Sequence, residues 1–286
     1  MERQKRIAAI HDVSCFGKCS LTVALPIISA VGIEVSVIPT AVLSTHTGGF
    51  EGYTFRDLTD DIMPIARHWK SIGLEFDAIY SGYVGSIKQL EILEEVFDLL
   101  RGDGTKIIVD PVMADNGVLY KNFTPDFPRN MKRLAKKADV LIPNMTEAVF
   151  LLEKPYTEGP YTEEYIHEIV EGLAGFGAKQ VVLTGVYFDD DNIGTANFDA
   201  EKGSITYTMA RRIEGYYHGT GDVFGSSLCA SLLSGHSLES SARIAVDFTV
   251  SSIARTKEAG TDVRFGVNFE ESLKDLIISV RSGDRL

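Results

Sequence analysis

The sequence predicts a single-domain α/β fold with a mostly parallel central sheet. Over the first 185 residues, short apolar runs of strand length alternate with longer segments whose apolar residues recur at helical spacing. Such alternation is typical of parallel βαβ units. No break in composition divides the chain, so we predict one domain over residues 1–286.

The predicted parallel strands are short, apolar and rich in β-branched residues, as expected of strands buried on both faces. In chain order they are residues 6–10, 35–42, 78–81, 106–109, 140–142 and 181–184. From residue 188 to residue 207 the pattern changes to short alternating runs between Asp, Asn and Gly turns. This second pattern predicts antiparallel strands.

The predicted helices lie between these strands and continue after them. In chain order they are residues 20–31, 57–72, 86–100, 129–138, 147–152, 163–175, a helix after Asp222, residues 239–257 and a last helix in the C-terminal tail. Pro26 predicts a kink in the first helix, and Gly32 predicts its end. The predicted loops include residues 13–20, residues 44–53 and a short flap at residues 115–123.

Net charge, cysteine content and the length of the apolar runs limit the possible partners and the location of the protein. The net charge of −12 and the lack of a basic stripe argue against a general nucleic-acid-binding protein. Cys15, Cys19 and Cys229 form no CxxC pair, which favours reduced thiols; a metal site at Cys15 and Cys19 would lack a second pair of ligands. The odd number of cysteines without a CxxC pair is typical of a cytoplasmic protein, and we expect that location. No stretch has the length of a membrane span or a signal peptide.

Polar residues follow the predicted strands directly. They are Asp12, residues 44–47, residues 81–83, Asp110, Asn144 and Thr184. Each could be an ordinary turn residue at the end of a strand. Because ligands of open parallel sheets bind beyond the carboxyl ends of the strands, the whole series predicts a binding site at that edge.

The sequence Gly219-Thr220-Gly221-Asp222 stands before an apolar stretch at helical spacing. Glycines let the backbone approach a ligand closely. The start of a helix offers free N–H groups and the positive end of its dipole to an anion. Asp222 could cap this helix or move a proton, and the local sequence leaves both alternatives open.

Two common nucleotide-binding motifs do not match this chain. Gly17-Lys18 is followed by Cys19, not by the Ser or Thr of a P-loop, and Gly219-x-Gly221-x-x-x-Gly225 has one residue too many for GxGxxG. Phosphoryl transfer nevertheless fits the available groups, because it needs anion stabilisation, a divalent metal and a group that receives a hydroxyl proton. Asp110, Asn144 and Glu147 offer oxygen ligands that suit Mg²⁺.

These residues carry a family resemblance over nearly the whole chain. The sequence HGTGDVF at residues 218–224, with DPV at 110–112 and PNMTE at 143–147, resembles the ribokinase superfamily. Within it, residues 33–49 and the SGYVG sequence at 81–85 resemble the pyridoxal kinases. The resemblance implies a ribokinase-like three-layer α/β/α sandwich and ATP-dependent phosphorylation of the 5′-hydroxymethyl group of vitamin B6 compounds.

The same resemblance implies roles on the phosphate side of the site. Asp222 would be the catalytic base, and the residues Gly219, Thr220 and Gly221 would form the anion hole. The residues around Mg²⁺ and ATP would be Asp110, Asn144, Glu147 and Thr184, with Asp110 and Glu147 facing the metal. Relatives are typically homodimers, and many are helped by a monovalent cation such as K⁺.

On the substrate side, Thr47 and Tyr83 would flank the pyridine ring, and His46 belongs to the same substrate-binding segment. Two residues depart from the pattern of the relatives. Asp12 stands where many of them have serine, and a carboxylate there could prefer a protonated ring nitrogen or a different ring. His218 replaces a common aliphatic residue, and could contact the substrate or be a loop histidine without such a role.

Three alternatives to a vitamin B6 kinase follow from the sequence. A hydroxymethylpyrimidine kinase resembles this branch and phosphorylates the same kind of hydroxymethyl group. A sugar kinase of the superfamily is disfavoured, because the chain after Gly32 leaves little room for a large β-lid. A non-catalytic vitamer-binding protein would have no need of Asp222 as a base.

Overall fold

The computed structural model describes residues 3–282 and confirms the predicted α/β class. The strands are β1 Arg6–Ser14, β2 Glu34–Leu43, β3 Phe55–Asp57, β4 Ala78–Ser81, β5 Lys106–Val109, β6 Ala114–Asp115, β7 Val118–Leu119, β8 Val140–Leu141, β9 Gln180–Val186, β10 Asn192–Asp199 and β11 Ser204–Arg211. Nine of them form one sheet in the order β11-β10-β9-β8-β5-β4-β1-β2-β3, and β6 and β7 form a separate hairpin.

The helices cover both faces of this sheet. They are α1 Leu21–Ala30, α2 Thr59–Ser71, α3 Ile87–Leu100, α4 Phe127–Ala135, α5 Met145–Leu151, α6 Glu163–Ala174, α7 Thr220–Leu233, α8 Leu238–Glu258 and α9 Leu273–Ser282. Apolar side chains of α2 to α6 pack on one face of the sheet, and those of α1, α7 and α8 pack on the other. The result is the three-layer α/β/α sandwich that the family resemblance implies.

Strand order places the site between β1 and β4. The strands β2, β1, β4, β5, β8 and β9 are parallel, and the chain continues from β1 to β2 on one side before it returns to β4 on the other. This reversal of strand order is where open α/β sheets bind ligands. Asp12 near the end of β1 and Tyr83 just after β4 therefore belong to the same crevice.

The edges of the sheet are antiparallel. The prediction of antiparallel strands between residues 188 and 207 is confirmed by β10 and β11. At the opposite edge the three-residue strand β3 pairs antiparallel with β2. The connection from β2 to α2 holds no large β-lid, as the chain after Gly32 predicts. No helix in residues 3–282 is long and apolar enough to cross a membrane.

Two predictions of local structure were wrong. Strand β1 does not stop at residue 10. After an irregularity that follows His11, Val13 and Ser14 continue the strand by pairing with Val42 and Leu43 of β2. Residues 220–222 are not loop, because α7 already begins at Thr220. The segment predicted as a flap, residues 115–123, includes the turn and second strand of the β6–β7 hairpin, whose two-residue strands are too short to produce an apolar pattern.

Candidate active site

Gly219 forms the sharp entry into α7. It is the N-cap residue, with φ of 78°, in the left-handed region that favours glycine. A Cβ atom at Gly219 would lie 2.1 Å from the backbone oxygen of Lys18, so only glycine fits. Thr220 donates a 3.2 Å hydrogen bond to the backbone oxygen of Tyr217. Gly221 is exposed and has open space where a Cβ would stand.

Asp222 lies in the first turn of α7, where the free N–H groups and the helix dipole favour an anion. The helix has Gly219 as its N-cap and no capping side chain, so the structure does not support the alternative in which Asp222 caps it. Burial raises the pKa of Asp222 to about 7; the backbone N–H of Ser20 opposes this increase and the charge of Asp12 adds to it. Asp222 thus has the pKa of a general base for neutral pH.

Asp12 is buried beside the base, with only 4% of its surface exposed. Its carboxylate accepts hydrogen bonds from the hydroxyl groups of Ser14 at 3.0 Å and Ser20 at 2.5 Å. Burial raises the pKa of Asp12, and these two hydrogen bonds oppose the rise. Ser20 itself has a positive φ of 54°, which is rare for a residue with a side chain and puts its hydroxyl on Asp12.

Tyr83 lies between Asp12 and the flap. Burial raises the pKa of its hydroxyl to about 12; a hydrogen bond with Asn122 opposes this rise, and the charge of Asp12 adds to it. Its ring lies 5.6 Å from the ring of Phe123, centroid to centroid. The structure therefore brings Asp12, Tyr83 and Asp222 together around one crevice, with flap residues on its far side.

His46 and His218 form the opposite rim. The Nδ1 atom of His46 accepts a hydrogen bond from the N–H of Gly48 at 3.1 Å. Its Nε2 atom must therefore carry the proton that it donates to the backbone oxygen of Arg264, at 2.6 Å. The His218 ring lies 5.1 Å from the His46 ring and packs against the backbone of Gly48. Burial lowers the pKa of both imidazoles, so both are neutral at pH 7.

Thr47 is exposed in the same segment, and no side-chain hydrogen bond to it is found in the described part of the chain. Tyr216 stands edge-on to His218, with ring centroids 5.0 Å apart. Its hydroxyl donates a 2.9 Å hydrogen bond to Asp115 of the β6–β7 hairpin. Neither Tyr216 nor Ser20 was among the predicted site residues, because nothing in the local sequence indicates their partners.

On the other side of Asp222, Asp110 and Glu147 form a second carboxylate pair. Burial raises the pKa of Asp110 well above its ordinary value, and the charges of Glu147 and Asp222 raise it further. Burial also raises the pKa of Glu147 to about 8, while hydrogen bonds from the backbone N–H groups of Asn144 and Met113 oppose the rise. Within residues 3–282, no Lys, Arg or His pairs with either carboxylate.

Asn144 and Glu147 also stabilise the start of α5. Asn144 is the N-cap of α5, and the two side chains form a capping box with each other's backbone N–H groups. The Asn144 amide donates a further hydrogen bond to the backbone oxygen of Ala114, at 2.8 Å, which ties the β6–β7 hairpin to α5. The sequence N-x-x-E is the signature of this motif, and it could have indicated the capping role. Thr184 lies in β9 and forms a bridge with Asn144.

The donor set fits a divalent cation that shares its ligands with a substrate. In residues 3–282, no cluster of three or more His, Cys, Asp or Glu side chains could hold a metal ion. Mg²⁺, however, is commonly bound by one or two carboxylates, waters and substrate phosphates. Two buried carboxylates that repel each other and lack a basic partner suit that arrangement, because a cation would relieve the repulsion.

Comparison with known proteins gives independent evidence on the family of this chain. A family model described as phosphomethylpyrimidine kinase matches residues 35–266. The structure is similar to that of a Bacteroides thetaiotaomicron protein assigned as a phosphomethylpyrimidine kinase, in a crystal form with pyridoxal. The TM-score is 0.92, with 37% identity over 96% of each chain.

Two further relatives carry the name pyridoxal kinase. The structure of the Lactobacillus plantarum pyridoxal kinase has a TM-score of 0.89 and 31% identity, covering 99% of this chain and 100% of that one. A Caenorhabditis elegans protein assigned as a pyridoxal kinase is 29% identical over 244 residues, which is 79% of this chain and 74% of the relative. Similarity thus extends over most of the chain and includes every strand that lines the crevice.

Proposed function

We propose that this chain, which belongs to the phosphomethylpyrimidine kinase family, is a vitamin B6 kinase. It transfers a phosphoryl group from ATP to the 5′-hydroxymethyl group of pyridoxal, pyridoxine or pyridoxamine. The observation that carries the proposal is the burial of Asp222 in the first turn of α7, with the carboxylates of Asp12 and Asp110 close enough to interact with it. The similarity to pyridoxal kinases supports the same reaction.

Asp222 acts as the general base in this proposal. With a pKa of about 7 it is largely ionised in neutral solution, yet basic enough to receive a proton from an attacking hydroxyl group. Its place in the first turn of α7 aims the carboxylate at the point where the acceptor hydroxyl meets the anion-binding backbone. The 5′-hydroxyl loses its proton to Asp222 as its oxygen bonds to phosphorus and the bond to ADP breaks.

The backbone of Gly219, Thr220 and Gly221 forms the anion hole. The first N–H groups of α7 have no partner within the helix, and the helix dipole adds positive potential. Groups fixed before the reaction stabilise developing charge without reorganisation. The open space at Gly221 leaves room for the phosphoryl group to approach the backbone.

Asp110 and Glu147 would hold Mg²⁺ on the nucleotide side, with Asn144 and Thr184 beside the phosphates. When bound, the cation neutralises phosphate charge. The chain contributes a fixed geometry, because the capping box and the hydrogen bond from Met113 hold both oxygens of Glu147. This use of Glu147 favours indirect contact through water, and leaves Asp110 as the direct ligand.

Asp12 and Tyr83 bind the ring. Asp12 is a buried acceptor that can pair with a protonated pyridine nitrogen, and Tyr83 lies close enough for its hydroxyl to be affected by that charge. The rings of Tyr83 and Phe123 line the flap side of the crevice. His46, Thr47 and His218 supply the rim, with the two imidazoles neutral at pH 7.

The proposal also includes features that rest on the family resemblance. They are a homodimer and a contribution from a monovalent cation such as K⁺. A cytoplasmic location is also part of the proposal, and it rests on the cysteine content. No nucleic-acid or membrane partner is part of it, in keeping with the net charge of −12.

The replacement Asp222→Asn tests the reaction. We expect it to leave binding of the vitamer largely intact and to lower kcat by a factor of about 10²–10⁴, the usual contribution of a general base. Isothermal titration with pyridoxal and a coupled assay of ADP release measure the two quantities. Turnover that stays at the wild-type rate would refute the role of Asp222.

A hydroxymethylpyrimidine kinase is the second candidate, favoured by the description of the matching family. The same coupled assay with pyridoxal and with hydroxymethylpyrimidine separates the two. We expect a higher kcat/KM for pyridoxal, since Tyr83 and the segment around His46 are of the pyridoxal-kinase type. A tenfold preference for the pyrimidine would overturn the vitamin B6 assignment.

A further inference from the structure

Tyr80 occupies the interface between β4 and α7, directly beneath the site. The side chain is fully buried, and its hydroxyl has no hydrogen-bond partner in the described part of the protein. A Cβ atom at Gly225 of α7 would lie 2.5 Å from this hydroxyl and 3.5 Å from Oδ2 of Asp110. Because both distances are measured from the same point, the Tyr80 hydroxyl and Oδ2 of Asp110 are no more than about 6 Å apart. The lack of a side chain at Gly225 leaves the space between them free.

Other buried polar atoms surround this position. The ring of His11 stands edge-on to the ring of Tyr80, with centroids 4.5 Å apart, and both of its nitrogens lack a partner in residues 3–282. The hydroxyl of Ser226, one residue after Gly225, has none either, and it lies close enough to the Tyr80 hydroxyl to oppose the rise that burial causes in the pKa of Tyr80. His11, Tyr80 and Ser226 come from β1, β4 and α7, so three elements direct polar groups into one buried region.

Such a cluster is costly unless something satisfies it. An unsatisfied buried donor or acceptor costs about 1–3 kcal/mol, and buried polar groups in proteins are commonly bridged by internal water. A separation of up to about 6 Å between the Tyr80 hydroxyl and Asp110 is the span of one bridging water. Phenylalanine would fill the same space at position 80 without any polar requirement.

We propose that Tyr80 is a positioning residue for Asp110: its hydroxyl, lodged against Gly225, holds the carboxylate through a buried water shared with Ser226. The inference rests on the proposed function, in which Asp110 faces the metal–nucleotide complex. At metal sites, groups that hydrogen-bond to a metal ligand fix the orientation of that ligand. The cluster of His11, Tyr80 and Ser226 would have this role toward Asp110. The edge of the His11 ring keeps the Tyr80 ring in place.

The test compares Tyr80→Phe with Tyr207→Phe. Tyr207 is the matched control, because its hydroxyl is also buried without a hydrogen-bond partner in residues 3–282, but it lies in β11 against Phe188 and His167. The probe is Mn²⁺, titrated in the presence of a non-hydrolysable ATP analogue, with free Mn²⁺ followed by electron paramagnetic resonance. Thermal unfolding of both variants reports on the fold.

We expect Tyr80→Phe to weaken Mn²⁺ binding about 10–100-fold, the usual effect of losing an outer partner of a metal ligand. Tyr207→Phe should bind Mn²⁺ within twofold of the wild type, with both variants unfolding at similar temperatures. Unchanged Mn²⁺ affinity in Tyr80→Phe, or equal weakening in both variants, would overturn the inference. Pyridoxal turnover by the wild type is measured on the same preparation, and its absence would count against the proposed function instead.

Discussion

The hydroxyl of Tyr216 donates a 2.9 Å hydrogen bond to Oδ2 of Asp115, and so joins the segment before α7 to the β6–β7 hairpin. Tyr216 belongs to the segment that leads into Gly219, and Asp115 belongs to the β6–β7 hairpin. The hairpin is in turn tied to α5 by the amide of Asn144. Flap and anion hole are therefore parts of one connected structure.

Replacing Tyr216 by Phe should loosen the flap without weakening the fold. The hydrogen bond is exposed, so its loss is expected to cost about 0.5–1.5 kcal/mol locally, which corresponds to a KM for the vitamer about 2–12-fold higher. The thermal midpoint should stay near that of the wild type. Tyr217→Phe is the control, because its hydroxyl bonds the backbone oxygen of Glu214 within the same segment. An equal change of KM in both variants would contradict a specific role of the Tyr216–Asp115 bond.

Activity should depend on pH through Asp222. Its carboxylate must be ionised to receive a proton, and its pKa is about 7. We therefore expect kcat/KM to be constant above that pH and to fall about tenfold for each pH unit below it. A pH series with pyridoxamine and with pyridoxine separates this limb from ionisation of the substrates. An acid limb near pH 4 with both substrates would exclude the elevated pKa.

The same carboxylate should destabilise the fold when it is ionised. Because burial raises its pKa from 3.8 to about 7, the native state holds more protons than the unfolded state between these values. Stability from this group is thus complete at low pH and is lost as the pH rises through about 7. Asp222→Asn should raise Tm at pH 8, by about 2–4 °C for each kcal/mol of cost removed, and raise it by less than half as much at pH 5, where only part of the cost has developed. A lower Tm at pH 8 would contradict the argument.

The two glycines of the anion hole should respond differently to alanine. Gly219→Ala forces a Cβ against the Lys18 backbone oxygen at a positive φ, and should cost about 2 kcal/mol or more in urea unfolding. Gly221→Ala has free space and should leave stability nearly unchanged. If the phosphoryl group approaches the backbone there, however, the added methyl group should lower kcat about tenfold or more. Wild-type kcat in Gly221→Ala would remove that residue from the anion hole.

Asp12→Asn should affect substrate binding and the base together. Losing a charged hydrogen-bond partner of the ring is expected to raise the KM for pyridoxine about tenfold or more. Because the charge of Asp12 raises the pKa of Asp222, its removal should also move the acid limb of kcat/KM to lower pH. Asp190→Asn in the exposed turn between β9 and β10 is a charge-matched control away from the crevice. A KM within twofold of the wild type would show that Asp12 does not bind the ring.

Much of this architecture could be predicted from the sequence, because long apolar segments and the polar residues after them are local signals. The strands and helices of the βαβ units and the polar series from Asp12 to Thr184 belong to this group. The extension of β1 through Ser14 and the short strand β3 could not, since both depend on pairing with the distant strand β2.

The same contrast between local signals and long-range packing applies to the candidate site. The carboxylates were visible in the sequence, but their burial and mutual repulsion depend on packing between elements far apart in the chain. The positive φ of Ser20 and the partner of Tyr216 have no sequence signature. The capping box of Asn144 and Glu147 did have one, so the local-structure role of these two residues could be predicted.

The close approach of Gly219 to the Lys18 backbone oxygen joins positions about 200 residues apart in the chain. Lys18 is also bonded through its N–H to Phe265, still closer to the C-terminus. During synthesis the parallel βαβ units can assemble as they leave the ribosome, but the crevice acquires the proposed base and anion hole only after residues 219–222 have been made. A nascent or truncated chain that ends before residue 219 would therefore be unable to consume ATP, however well its sheet had formed.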